Sequence, residues 1–193
     1  MVQVITAAAV SIASFALAVA SAPTVATLAP APATPRTEAT ATPAPTPERL
    51  TGGAASIDEL IALFLDALSR RDRDALERLR VTEAEWRSII VPGSVEPGKP
   101  PQVLSEEGLQ YFWGEMNQKS AAHREALLQR FGGQSLTPAR HSFEKGVHTF
   151  AGYEAHQRLI VVLRDDHGGE TELRTGSIVA RDGRFKFATF IRD

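Results

Sequence analysis

The stretch that decides the fold is LIVVLRDDHGGETELRTGSIVARDGRFKF, residues 159–187. It consists of short runs rich in Ile, Val, Leu and Phe, and turn-forming residues separate these runs at short intervals, a pattern typical of antiparallel strands. Asp182-Gly183 lies between two such runs and is a strong signal for a two-residue hairpin. The stretch therefore predicts an antiparallel sheet in the C-terminal part of the chain.

Neighbouring residues extend the predicted sheet. One strand is expected within 138–150, a stronger one over 153–164, and a third over 170–181. In the third strand the apolar positions change parity across Gly176, which predicts a β-bulge there. The last predicted strand carries three apolar residues on one face, Phe185, Phe187 and Ile191.

Helical signals dominate before residue 132. Four predicted helices each follow a capping residue, Ser56, Asp72, Thr82 or Ser105. Ser56 and Thr82 have a glutamate three positions later, which completes a capping box, and the last helix is expected to end at Phe131. Helices followed by strands define an α+β domain, with the N-terminal helices packed on one face of a curved antiparallel sheet.

The first 22 residues carry no charged side chain and are rich in Ala, Val and Ile. Small residues at Ala18-Val-Ala20 and Ala20-Ser-Ala22 fit a signal-peptide cleavage site. An uncleaved membrane anchor is the alternative, because about 20 apolar residues can span a bilayer. A third interpretation is that the apolar run is an artefact of the start chosen for the sequence. The first two predict export, to a periplasmic, extracellular or membrane-tethered location, with the membrane contacted only through an uncleaved segment.

Residues 23–53 are dominated by Ala, Pro and Thr. Proline removes backbone donors, and Ala and Thr offer little surface to bury, so this segment is expected to be a disordered tether. The tether leads to a single folded domain, residues 54–193.

Composition excludes several classes of function. The chain has no cysteine, which rules out disulfides, a thiol nucleophile, cysteine-ligated metals and a lipid-modified cysteine. Its 21 basic and 23 acidic residues give a net charge of −2. Since no basic patch stands out in the sequence, no nucleic-acid partner is expected.

Two stretches resemble the nuclear-transport-factor-2-like superfamily, which includes SnoaL-like and ketosteroid-isomerase-like proteins. LIALFLDALSRRDRDALERL, residues 60–79, resembles its opening helix, charged turn and short helix, and GSIVARDGRFKF, residues 176–187, resembles its final hairpin. The resemblance implies a cone-shaped single domain in which helices close a curved sheet. Members use the cone for catalysis or ligand binding, or associate through the outer sheet face. The segment 91–131 departs from the family pattern, because typical members proceed sooner to strands.

No catalytic motif accompanies the fold. The two tyrosines and five histidines form no recognisable dyad, and the chain lacks a His-Glu-x-x-His zinc motif, a nucleophile elbow and a phosphate-binding glycine loop. We therefore assign no catalytic residue, metal or cofactor. His123 and His167 are expected to face solvent, and His148 and His156 to lie on a polar outer sheet face.

Binding is the function that these patterns favour. Trp86 and Trp113 are expected to face the sheet, with Phe112 beside them and Trp113 buried beneath it. A few polar groups among apolar neighbours suit a ligand pocket. The predicted partner is a small apolar ligand in the cone, or a homodimer or envelope protein docked on the sheet face. The alternative is a small cone-cavity enzyme of isomerase, cyclase or dehydratase type. The predicted pocket residues are Trp86, Trp113, Tyr153, Gln157 and Thr175.

Overall fold

The computed structural model describes residues 49–95, 98–100, 103–165 and 167–192. The predicted signal or anchor segment, residues 1–22, and the predicted tether up to residue 48 lie outside the described residues. Within the described ranges, no helix has the length and apolar character needed to cross a membrane.

The helices begin where the sequence predicts them. Ser56, Asp72 and Ser105 each accept a hydrogen bond from a backbone N–H of the first turn, and Thr82 forms the reciprocal capping box with Glu85. The helices are α1 Ile57–Ser69, α2 Arg73–Arg78, α3 Glu83–Glu85, a π-helix Trp86–Ile90, α4 Val91–Gly93 and α5 Glu106–Phe131.

Within the described residues, seven strands form two antiparallel sheets, and the α+β class is confirmed. One sheet has the order β1-β4-β5 and the other β2-β3-β6-β7. Each of the three long predicted strands is divided in two, and the last strand ends before Ile191. The strands are β1 Thr137–Phe143, β2 Val147–Thr149, β3 Glu154–His156, β4 Leu159–Arg164, β5 Glu170–Arg174, β6 Ile178–Arg181 and β7 Arg184–Phe187.

Backbone hydrogen bonds connect the two sheets where the strands divide. The Leu159 N–H donates to the Gly176 carbonyl at 3.2 Å, and the Thr175 N–H donates to the Leu159 carbonyl at 3.0 Å. A Cβ at position 176 would lie 2.1 Å from the Thr189 carbonyl oxygen, so only glycine fits this close approach. In place of the β-bulge predicted at Gly176, the structure has an interruption between β5 and β6, which belong to different sheets.

The predicted hairpin joins β6 to β7. Asp182 and Gly183 have φ values of 51° and 71°, and Arg181 pairs with Arg184. Positive φ at both central residues gives the backbone twist that matches flanking strands, which explains the Asp-Gly sequence.

Helices and strands share the main core. Phe64 of α1 packs against Phe187 and Phe190, with ring centroids 4.9 and 5.8 Å away. Leu159, Val161 and Leu163 alternate along β4 into the same cluster. Helix α5 contributes through its C-terminal half, at Leu127, Leu128 and Phe131.

A second, smaller core lies on the opposite face of β6. Val179 follows Ile178 in the strand and therefore points to the other face, where it clusters with Leu50, Val81 and Ile89. The expected single core is thus one large cluster and a four-residue satellite.

A buried ion pair accompanies the satellite core. Lys186 pairs with Val179 across the sheet, and its Nζ lies 2.7 Å from Glu85 Oε2. The carboxylate also accepts hydrogen bonds from the Thr51 N–H, the Thr51 hydroxyl and the Thr82 N–H. Burial alone would raise the pKa of Glu85, but the hydrogen bonds from Lys186, Thr82 and Thr51 outweigh it and the pKa is lowered.

The packed chain begins before residue 54. Leu50 is 5% exposed, and Thr51 donates to Glu85 at 2.6 Å through its N–H while its carbonyl accepts from Lys186 at 3.0 Å. Packing therefore starts at least four residues before Ala54, where the sequence placed the start of the domain, and the last residues of the predicted tether belong to the fold.

Two truncations test this boundary. A chain that starts at Ala54 should unfold with a free energy lower by about 3 kcal/mol or more than one that starts at Arg49, because it loses the burial of Leu50 and the Thr51 hydrogen bonds to a charged group. Urea denaturation followed by circular dichroism measures the difference. Coincident unfolding curves would show that Leu50 and Thr51 contribute nothing.

Removing one partner of the buried pair is expected to be costly. Lys186→Met should lower the free energy of unfolding by about 3–5 kcal/mol, because Glu85 is left as an uncompensated buried charge. Lys119→Met is the matched control, since Lys119 forms an exposed pair with Glu115 and such pairs contribute little. Equal effects of the two substitutions in denaturant unfolding would contradict the assignment.

The same substitution should change the acid sensitivity of the fold. Because the pKa of Glu85 is lowered from its ordinary 4.5, its ionised form adds stability above pH 4.5 that is lost as the pH falls through the lower folded value. Lys186→Met should weaken this dependence.

Candidate functional site

The two tryptophans pack on each other outside the main core. Trp86 and Trp113 have ring centroids 5.6 Å apart, and the Arg80 guanidinium lies 5.5 Å from the Trp113 ring centroid. Trp113 is only partly buried, so the prediction that it lies buried beneath the sheet is wrong. Phe112, also expected to face the sheet, is 50% exposed, because the buried residues of α5 lie in its C-terminal half.

Tyr153 lies elsewhere. Its hydroxyl is 2.6 Å from Ser94 Oγ, and burial raises the pKa of the phenol, an effect that this hydrogen bond only partly offsets. Tyr153 lines an open cavity of 480 Å³ together with Phe150, Glu154 and Arg181.

Gln157 and Thr175 lie apart from the tryptophans, from Tyr153 and from each other. Gln157 lines a cavity of 210 Å³ beside Lys145, whereas Thr175 is fully buried with its hydroxyl 3.5 Å from the Phe190 carbonyl oxygen. The structure thus brings Trp86 and Trp113 together but separates them from the other three predicted pocket residues.

Tyr153 shares no cavity with Asp165 or Glu172 among the described residues. Asp165 caps its own turn by accepting hydrogen bonds from the His167 and Gly169 N–H groups. Glu172 binds Arg174 at 2.7 Å, on a cavity that Tyr153 does not line. Among the described residues, no group of three or more His, Asp or Glu side chains could hold a metal ion.

His156 is not on a polar outer face. It pairs with Ile178 of the main core, and its ring lies between Phe143 and Phe185, at 5.1 and 6.2 Å. Both ring nitrogens are buried, and neither has a hydrogen-bond partner in the described part of the chain. Burial lowers the pKa of His156, and the charge of Glu154 only partly opposes this.

Of the other three histidines with a predicted environment, only His167 has the solvent exposure that the sequence predicts. His167 is exposed in its turn, as predicted, whereas His148 is partly buried against Phe150, with ring centroids 4.4 Å apart. His123, expected at the surface, is partly buried and lines a cavity.

Three arginines line that cavity, and we call it the arginine cavity. It has a volume of 370 Å³ and lies between the C-terminal half of α5, strand β5 and Arg192. Its apolar lining comes from Ala126, Leu127 and Phe131, and its polar lining from His123, Arg130, Glu172, Arg174 and Arg192.

Helical and strand spacing position these groups. His123, Leu127 and Arg130 recur at intervals of three and four residues and therefore share one face of α5. The Arg130 guanidinium lies over the Phe131 ring, 4.9 Å from its centroid. Glu172 and Arg174 are two apart on β5 and share a face of the sheet.

The cavity carries an excess of positive charge. Arg174 binds Glu172 through Nε at 2.9 Å and Nη2 at 2.7 Å, and this hydrogen bond raises the pKa of Arg174. Arg130 and Arg192 contact no carboxylate among the described residues. Two guanidinium groups that have no acid partner in the described part of the chain thus border a cavity with an apolar wall.

Sequence reasoning missed this site. Its cationic residues, Arg130, Arg174 and Arg192, are far apart in the chain and form no local motif. The signal in the sequence was the spacing of His123 and Arg130, which places them on one face of α5. That spacing is common on exposed helix faces.

Comparison with known proteins identified no related protein. No family model matches the chain, and neither the curated proteins nor the solved structures compared with it gave a match.

Replacing the buried imidazole should stabilise the fold. His156→Phe should raise the free energy of unfolding by about 1–3 kcal/mol, because two buried polar atoms without partners are removed. The wild-type chain should lose stability as the pH falls below 6.5, the ordinary pKa of histidine, since the unfolded state takes up a proton there before the folded state does. His156→Phe should reduce that loss.

Thermal unfolding between pH 5 and 8 measures both effects. His167→Gln serves as the control, because His167 is exposed and its replacement should change neither quantity. A destabilised His156→Phe variant with the wild-type pH profile would show that the imidazole has partners in solution.

Proposed function

We propose that the chain is a non-catalytic binding domain that holds a small amphipathic anion in the arginine cavity. The observation that carries this proposal is that Arg130 and Arg192 have no acid partner among the described residues and border a cavity lined by Leu127 and Phe131. Guanidinium groups bind carboxylates and phosphates through paired hydrogen bonds. The apolar wall suits the hydrocarbon part of such a ligand.

Packing in the main core favours this surface site over an apolar ligand in the cone. Phe64, Phe187 and Phe190 are at most 1% exposed and contact one another. Thr175, a predicted pocket residue, is itself fully buried beside Phe190. A ligand among these groups would have to displace closely packed side chains.

A nuclear-transport-factor-2-like fold, with one curved sheet in a cone-shaped domain, is part of the proposal. Its support is the order of long helix, turn and short helix in α1 and α2, and the hydrogen bonds at Leu159 that connect the two sheets. The apolar, uncharged segment 1–22 supports the further proposal that the domain works after export.

A protein partner or homodimer is the second candidate, and the exposed aromatics of α5 favour it. Tyr111 is 64% and Phe112 50% exposed, and large exposed apolar groups mark interaction sites. The outer face of β1-β4-β5 suits such docking less well. There Arg140 and Glu170 form paired hydrogen bonds beside the buried Val162.

Calorimetric titration of the chain with decanoate and with decanol tests the anion proposal. Decanoate should bind more tightly, because only it can accept hydrogen bonds from two guanidinium groups. Arg130→Gln should weaken decanoate binding about tenfold or more, the value of a charge-assisted hydrogen bond, and Arg184→Gln, at an exposed arginine of β7, should not. Equal binding of the two probes, or an unchanged affinity in Arg130→Gln, would refute the site.

A further inference from the structure

A second cationic cavity is lined by Ile191, the residue that precedes Arg192 of the arginine cavity. It has a volume of 210 Å³. It is lined by Lys145, Gln157, Arg158, Ser177, Thr189 and Ile191. Since Ile191 lines this cavity and Arg192 lines the arginine cavity, consecutive residues of one segment contribute to both.

The cationic groups of the two cavities share one carboxylate. Glu144 lies 3.7 Å from Arg158, which lines the second cavity, and 3.9 Å from Arg174, which lines the arginine cavity. Both separations exceed a normal hydrogen bond, so Glu144 pairs fully with neither arginine. Lys145 contacts no carboxylate among the described residues.

Hydroxyl groups in the second cavity can also face an anion. Ser177 Oγ accepts the Arg158 N–H at 3.2 Å, and Thr189 Oγ1 accepts the Ile191 N–H at 3.2 Å. Each hydroxyl keeps its own proton to donate. The second cavity therefore resembles the arginine cavity on a smaller scale. It combines a cation and two hydroxyl donors with the apolar side chain of Ile191.

We infer that the ligand is a dianion with an apolar spacer: one carboxylate or phosphate lies in the arginine cavity, the other lies beside Lys145, and the spacer crosses the chain at Ile191. This inference rests on the proposed function. It changes the predicted ligand class from a simple amphiphile to a molecule that is charged at both ends. Occupying both cavities at once makes the second contact intramolecular, which raises affinity without any new type of contact.

A series of linear α,ω-dicarboxylates from eight to sixteen carbons, compared with decanoate, tests the inference by calorimetry. One spacer length should bind at least tenfold more tightly than decanoate, with weaker binding for shorter and longer members. Lys145→Gln should lower the affinity for the best dicarboxylate to that for decanoate, and it should leave the affinity for decanoate unchanged. Arg130→Gln should weaken both probes, and Lys119→Gln, at an exposed lysine of α5, should weaken neither.

The outcomes separate the two proposals. Dicarboxylates that bind no better than decanoate at any length, or a preferred dicarboxylate that Lys145→Gln leaves unaffected, would overturn the dianion while the arginine cavity stands. Failure of both decanoate and the dicarboxylates to bind would overturn the arginine cavity and the dianion together.

Discussion

Burial of both faces of β6 and β7 is the constraint on which the rest of the structure depends. One face sends Ile178 and Phe187 into the main core, and the other carries Val179 and Lys186. A buried ammonium group in that position requires a carboxylate partner, which Glu85 supplies. Glu85 in turn fixes Thr51 and the start of α3. One ion pair therefore joins the N-terminal segment, a helix and the last strand.

Features that depend on neighbours within four residues could be predicted from the sequence. The helix caps at Ser56 and Thr82 and the Asp182-Gly183 turn belong to this group, because each is decided by a side chain and the backbone next to it. Features decided by distant parts of the chain could not. In the sequence, Lys186 alternates with Phe185 and Phe187, as an exposed residue of a strand would. In the structure it is buried, because Glu85 packs against it. His156 and Trp113 were misplaced for the same reason, since their surroundings come from other elements.

The candidate site shows why overall charge is a poor guide to local charge. A net charge of −2 gave no reason to expect an anion site. Several acidic residues, however, form ion pairs with arginines, as Glu125 does with Arg73 and Glu170 with Arg140. Arg130 and Arg192, which have no acid partner among the described residues, lie together where α5, β5 and the segment at Arg192 meet. Only the tertiary structure shows which charges are left over.

We propose that the ligand binds at the surface between α5 and β5 and not inside the main core. Nuclear magnetic resonance mapping of backbone amides and arginine Nε–H groups during titration with decanoate tests it directly. Binding in the arginine cavity should shift only the signals of residues 123–131, Glu172, Arg174 and Arg192. Shifts centred on Phe64, Thr175 and Phe190, with the arginine signals unmoved, would contradict it and restore the interior pocket.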